Sequence, residues 1–168
     1  MRPNKELIKA IIILPVNALV VVPGILLLTT KHSFACGLEY PISLIVYLIG
    51  SILAILSLLV MFLTVRLFAT KGDGTPAPWN PPKKFVVLGP YRYVRNPMLI
   101  GVLAFLLSET IVLGSIPIFK WFVFFVIANM IYFPFFEEKG LEKRFGKPYL
   151  EYKRNVPRWV PRLKPWRG

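Results

Sequence analysis

Two short polar clusters in this chain have the residue types to hold a charged small molecule. Gly89-Pro90-Tyr91-Arg92-Tyr93-Val94-Arg95-Asn96-Pro97 offers guanidinium, amide and phenol donors, and Glu137-Glu138, about forty residues later, offers two carboxylates. Neighbouring residues on a helix point about 100° apart, so both acids cannot face one ligand atom. One can take an ammonium or hydroxyl groups while the other pairs with Arg95 or Arg92. Solvated charge at a helix end, balanced by Lys139 and Arg144, is the plainer reading of the acids alone. Asn96-Pro97 likewise suits the start of a helix, with Asn as N-cap and Pro in the first turn. Glu109 is a third candidate: it falls about midway along an apolar stretch, where a charge costs at least about 2.5–3.5 kcal/mol. It is expected to face the interior, protonated or bonded to a polar group such as Asn129.

Nearly everything between the two clusters is apolar and long enough to cross a bilayer twice, which returns both clusters to one face. Four stretches approach or exceed the roughly 20 residues that span hydrocarbon, at 7–29, 41–68, 98–115 and 116–136. Lipid satisfies no backbone polar group, so such stretches are helices or closed barrels. Strict alternation is absent, which predicts an all-α, multi-pass membrane protein with about four transmembrane helices in a single domain, 1–168. Gly114-Ser115-Ile116-Pro117 predicts a tight outer turn. Arg2, Lys5 and Lys9 precede a first stretch longer than a signal peptide's core, with no A-x-A site after it, so an anchor is expected.

Of 168 residues, 55% are hydrophobic, and the formal charge is +13. Three Lys or Arg lie before or at the start of the first stretch, one follows it, six run from Arg66 to Arg95, one is Lys120 and ten come after Phe136. By the positive-inside rule both termini and the central loop are cytoplasmic. The charge also attracts anionic head groups, at about 1 kcal/mol per basic residue near the surface. No nucleic-acid motif accompanies it. One cysteine, Cys36, excludes an internal disulfide, and a lone His32 excludes a histidine metal cluster, so no metal is expected.

The central loop, 69–97, carries five prolines between 76 and 90, so it is no regular helix. Its Trp79, Phe85, Val86, Val87, Leu88, Tyr91 and Tyr93 predict an ordered cover over the cytoplasmic helix ends. In the tail, 137–168, Phe136, Leu141 and Phe145 sit at helical spacing. Gly146 stops that helix, and Pro148 starts another bearing Tyr149, Tyr152 and Val156. These helices are expected at the membrane interface, followed by an extended basic end with tryptophans.

Taken together, 89–98 through Gly101, Glu137-Glu138, Phe145-Gly146-Lys147-Pro148-Tyr149-Leu150-Glu151-Tyr152 and Val156-Pro157-Arg158 resemble the integral-membrane methyltransferases of the isoprenylcysteine carboxyl methyltransferase and phospholipid methyltransferase superfamily. The resemblance covers 72–161 and implies S-adenosylmethionine as donor, a lipophilic acceptor such as an isoprenylcysteine-like carboxylate or a phospholipid amine, and membrane lipids as surroundings. It implies cofactor contacts from Leu88, Gly89, Pro90, Tyr91, Arg95, Asn96, Pro97, Gly101, Glu137 and Glu138. Arg95 would lie near the donor's carboxylate, the acids near its amino or ribose groups, and Leu88 to Tyr91 with Asn96-Pro97 at its nucleoside end. Arg95, Asn96 and Glu137 are the implied catalytic positions, and Tyr149, Tyr152 and Arg158 the implied acceptor contacts. The acceptor is expected to enter sideways near the second stretch and the tail. Two positions depart from the family: the isoprenylcysteine enzymes commonly have His where Asn96 stands, and members often have Tyr at Leu99. Asparagine does not titrate near pH 7, so no base is expected there. Membrane sterol reductases that use NADPH share a similar hairpin and tail, and a non-catalytic scaffold could keep the fold. The Asn-Pro motif with the double Glu favours the methyltransferase.

Overall fold

The computed structural model describes Lys5, Lys9 and residues 12–30, 34–72 and 82–167. The start of the first apolar stretch, Trp79 and the Pro-rich segment around it lie outside the described residues. Helix α1 begins with wide π-type turns over Ile12–Val21 and tightens over Val22–Thr29. Pro15 has no N–H for the preceding turn, which favours the widening. Helix α2, Ile42–Leu67, continues through a wide turn, Phe68–Gly72. Helices α3, Pro97–Leu113, and α4, Ile116–Tyr132, form an antiparallel hairpin. Its turn is the expected one: Gly114 sits at φ 55°, and the Ser115 hydroxyl accepts from Ile118 N–H. A wide turn, Phe133–Glu137, carries α4 straight into α5, Glu138–Phe145. Gly146, at φ 61°, ends α5, and α6 runs Lys147–Asn155. No strand occurs among the described residues.

Two continuous helical stretches, Ile42–Gly72 and Ile116–Phe145, are long and apolar enough to cross a membrane. The outer face of α2 bears Ile45, Leu48, Ile52, Leu56 and Leu59, each at least half exposed, a surface suited to hydrocarbon rather than water. The inner face is made of small or slim residues. Gly50, Ser57, Met61 and Thr64 are buried at helical spacing against α3. A Cβ on Gly101 would come within 2.7 Å of Met61 Cγ and 3.2 Å of Ser57 O, and one on Gly50 within 2.3 Å of Val112 Cγ2. The two helices are therefore set at a distance that only glycine permits at those positions.

The tail folds back on the loop before α3. Tyr149, Tyr152 and Val156 are buried with Phe85, Val87, Leu141, Phe145 and Trp166 in a small core of their own. Tyr152 OH donates to Tyr91 O at 2.7 Å. The chain from Pro157 onward then runs beside 92–95: Arg95 N–H donates to Pro157 O, Arg162 N–H to Tyr93 O and Trp166 N–H to Arg92 O, each at 2.9 Å. The described part of the central loop is thus ordered and packed, as its aromatic content requires.

Candidate active site

A cavity of about 260 Å³ opens where α1, α3, α4 and the loop before α3 meet, close to the lower end of the roughly 300–1,000 Å³ usual for small-molecule sites. Tyr91, Arg95 and Asn96 reach it from the loop, and Met98, Leu99 and Val102 from α3. The α4–α5 side contributes Phe125, Asn129, Phe133, Glu137 and Leu141, a strict four-residue repeat. In a regular α-helix such a repeat drifts around the axis by about 40° per step. Here the wide turn takes up the drift. Pro134 has no N–H to give Met130, and Glu138 N–H instead donates to Phe133 O, five residues back.

The two acids have different surroundings. Glu138 is 1% exposed and is ringed by cations. Arg158 Nε and Nη2 donate to its two oxygens at 2.6 and 2.8 Å, and Lys153 Nζ lies at 3.3 Å. Arg95 Nη1 lies 2.8 Å from its Oε1 but out of line for a hydrogen bond, so that contact is an ion pair only. Lys153 also holds Glu142. Arg92, the other partner expected for the acids, instead donates from Nε to Trp166 O. Glu137 has no such ring and faces the cavity.

Three buried N–H-bearing atoms on or beside the same wall lack hydrogen-bond partners: Arg95 Nε, Arg95 Nη1 and Asn96 Nδ2. Asn96 occupies the N-cap position of α3, but its side chain makes no capping bond. That corrects the capping explanation of this residue; the amide is left for the cavity. A buried donor without a partner costs about 1–3 kcal/mol, so Arg95 Nε and Asn96 Nδ2, the two without the Glu138 contact, mark a place shaped for something that accepts hydrogen bonds. The Tyr91 phenol is driven well above its ordinary pKa by burial first, then by Tyr152 and the Glu137 charge. It is therefore a neutral hydroxyl at physiological pH.

Several expected site residues stand behind the cavity rather than on its wall. Leu88, Gly89 and Pro90 form the turn that presents Tyr91, with Gly89 at φ 55°. Pro97 is buried in the first turn of α3, and Gly101 packs against α2. Glu138 and Arg158 pair with each other, and Tyr149 and Tyr152 are core residues. Glu109 lies four residues from the end of α3 rather than midway. One of its oxygens is buried without a partner, and Asn129 donates to Phe125 O instead of to it. Asn129 itself, on the cavity wall, was singled out only as that partner; its signal is the every-fourth spacing with Glu137.

A second, almost wholly apolar groove of about 340 Å³ runs between α1 and α2 and shares Pro15 and Met98 with the cavity. It is bordered by Leu19 and Val20 on one side and by Leu58, Phe62 and Val65 on the other. An apolar recess thus adjoins the cavity between the first and second helices.

Residues 45–148 match the family described as phospholipid methyltransferase, over half the chain and including Arg95, Asn96, Glu137 and Glu138. The chain is also similar to methanethiol S-methyltransferase 2 of Bradyrhizobium diazoefficiens, at 36% identity over 77 residues. That alignment takes in 44% of this chain and 27% of the relative, so the chain spans about a quarter of that protein's length. The chain belongs to the phospholipid methyltransferase family, within the wider superfamily that includes the isoprenylcysteine carboxyl methyltransferases.

Proposed function

We propose that this protein transfers a methyl group from S-adenosylmethionine to a lipophilic acceptor at the cytoplasmic face of a membrane that it crosses four times. The Asn96 amide and Arg95 Nε, buried without hydrogen-bond partners beside a wall that also carries Glu137, support this most directly. They fit a donor that has both a carboxylate and an ammonium. Arg95 would hold the carboxylate, Asn96 an acceptor atom toward the nucleoside end, and Glu137 the ammonium or ribose hydroxyls. Tyr91 would border the same end, carried on the turn of Leu88, Gly89 and Pro90, while Pro97 and Gly101 fix α3 beneath it. Glu138 would serve indirectly, by holding Arg95 in place, and Tyr149, Tyr152 and Arg158 by holding the tail against Glu138 and the loop.

The bound sulfonium would supply an electrophilic methyl, for which alignment and exclusion of water matter more than covalent help. The apolar side chains around the cavity, Val102, Phe125 and Phe133 among them, provide that dryness. Of the cavity-lining side chains the Glu137 carboxylate, its pKa raised by burial, is the one suited to take a proton, for Asn96 does not titrate and a guanidinium has no acceptor site. A carboxylate acceptor needs no base, whereas an amine or thiol does. The relative's name makes a thiol a reasonable acceptor beside a carboxylate or a lipid amine. The groove between α1 and α2 supports entry of the acceptor's apolar part from the side.

Calorimetry of the full chain in detergent with S-adenosylhomocysteine tests the reading. Binding of that product, and none of NADP, is expected. Binding of NADP alone would favour a reductase, and binding of neither a scaffold.

A further inference from the structure

After Glu151 no acid occurs through Arg167, while Lys and Arg number six. Two of these are engaged with acids: Arg158 with Glu138, and Lys153 with Glu138 and Glu142. Arg154, Lys164 and Arg167 are exposed, and Arg162 donates to a carbonyl, Asn155 O, rather than to an acid. Among these cations stand two aliphatic side chains with nothing over them: Leu163 is 99% exposed and Val160 74%. The segment that bears them is not loose. Its backbone is tied to residues 92, 93 and 95, just before α3, and Trp159 packs edge-on to Phe133 at the end of α4. The strap is therefore held beside the start of α3 and the end of α4.

Cations interleaved with bare aliphatic residues, at the level where apolar helices end, fit a bilayer interface with negative head groups. We propose that residues 160–167 form a surface anchor for anionic lipid, with Leu163 and Val160 entering the interface and Arg162, Lys164 and Arg167 meeting the head groups. Through Arg158, whose partner Glu138 also contacts Arg95, the same strap connects the lipid surface to the cavity wall. This surface is independent of what the cavity binds.

The experiment uses the full chain carrying C36S/L163C, with an environment-sensitive fluorophore on the new thiol, reconstituted in vesicles. Pure phosphatidylcholine is compared with vesicles containing one part phosphatidylglycerol to about two of phosphatidylcholine. Quenching by a lipid-borne quencher is expected to be about five-fold stronger in the anionic vesicles and to fall back at high salt. K164Q/R167Q, which disturbs no described hydrogen bond, should remove about half of that difference. Equal quenching in the two lipids, or access only for a water-soluble quencher, would overturn the anchor. Shielding that appears only as protein density rises would also overturn it, assigning the surface to a second copy of the chain.

Discussion

Asn96 shows how a residue's place and its task can separate. It stands where an N-cap stands, yet its amide caps nothing and is buried without a partner. The two acids divide in the same way. E137Q is expected to weaken S-adenosylhomocysteine binding about ten-fold, about 1.4 kcal/mol, with little change in thermal unfolding. E138Q leaves Arg95 and Arg158 uncompensated and should cost about 3 kcal/mol of stability, read as a lower unfolding temperature in detergent. Equal effects of the two changes on both measurements would show that the acids are not divided as described. Tyr149 gives a pH signature. Burial first, then the nearby Glu138 charge, pushes its phenol up to about 12. A group whose folded pKa is raised stabilises fully below its unfolded pKa and loses that contribution as pH rises through the folded one. Stability should therefore decline between about pH 10 and 12, and less steeply in Y149F, whose ring stays in the core without an ionisable hydroxyl.

At the scale of elements, the wide turn Phe133–Glu137 aims the site. P134A restores an N–H and favours a regular helix at that point, which turns Glu137 away from Phe125 and Asn129. Donor affinity should fall several-fold, while helix stability holds or rises by up to about 3 kcal/mol. Unfolding and calorimetry on the same sample separate the two effects. The α2–α3 contact makes the opposite case. G101A drives a methyl into Met61 and toward Ser57 O and should cost about 1–3 kcal/mol. Adding M61A relieves the side-chain clash but not the backbone one, so a partial recovery of unfolding temperature is expected. Helix positions, the Gly114–Ser115 turn and the Gly146 stop were legible in the sequence because prolines, glycines and apolar runs act locally. The wide turns at Pro15 and Pro134 were not. A proline permits a wider turn without requiring one, and the choice is made by packing across the cavity. For the same reason Arg95, Asn96 and Glu137, which line the cavity, could be named from residue type together with the family resemblance, whereas Asn129 required knowing how α4 is wound.

For the whole molecule, charge and packing point the same way. The loop before α3, the end of α4 and the tail are packed together and rich in Lys and Arg, while the outer face of α2 offers hydrocarbon. Labelling single cysteines placed at 84, 116 and 164 in a C36S background in sealed vesicles tests the four-span arrangement: 84 and 164 should react from the cytoplasmic side, and 116, beside the hairpin turn and 69% exposed, from the other. Any other pattern reassigns the spans.

The bonds between the tail and the loop also fix an order of events. Arg92 finds its carbonyl partner 74 residues later, at Trp166, and Arg95 sits beside an acid that is itself secured by Arg158. As a ribosome makes the chain, the α3–α4 hairpin emerges before those partners have been synthesised. The hairpin can thus enter the membrane while the candidate site is still unfinished, and that site is completed only once the tail segment has been made. A chain stopped after Asn155 should insert normally and bind no donor.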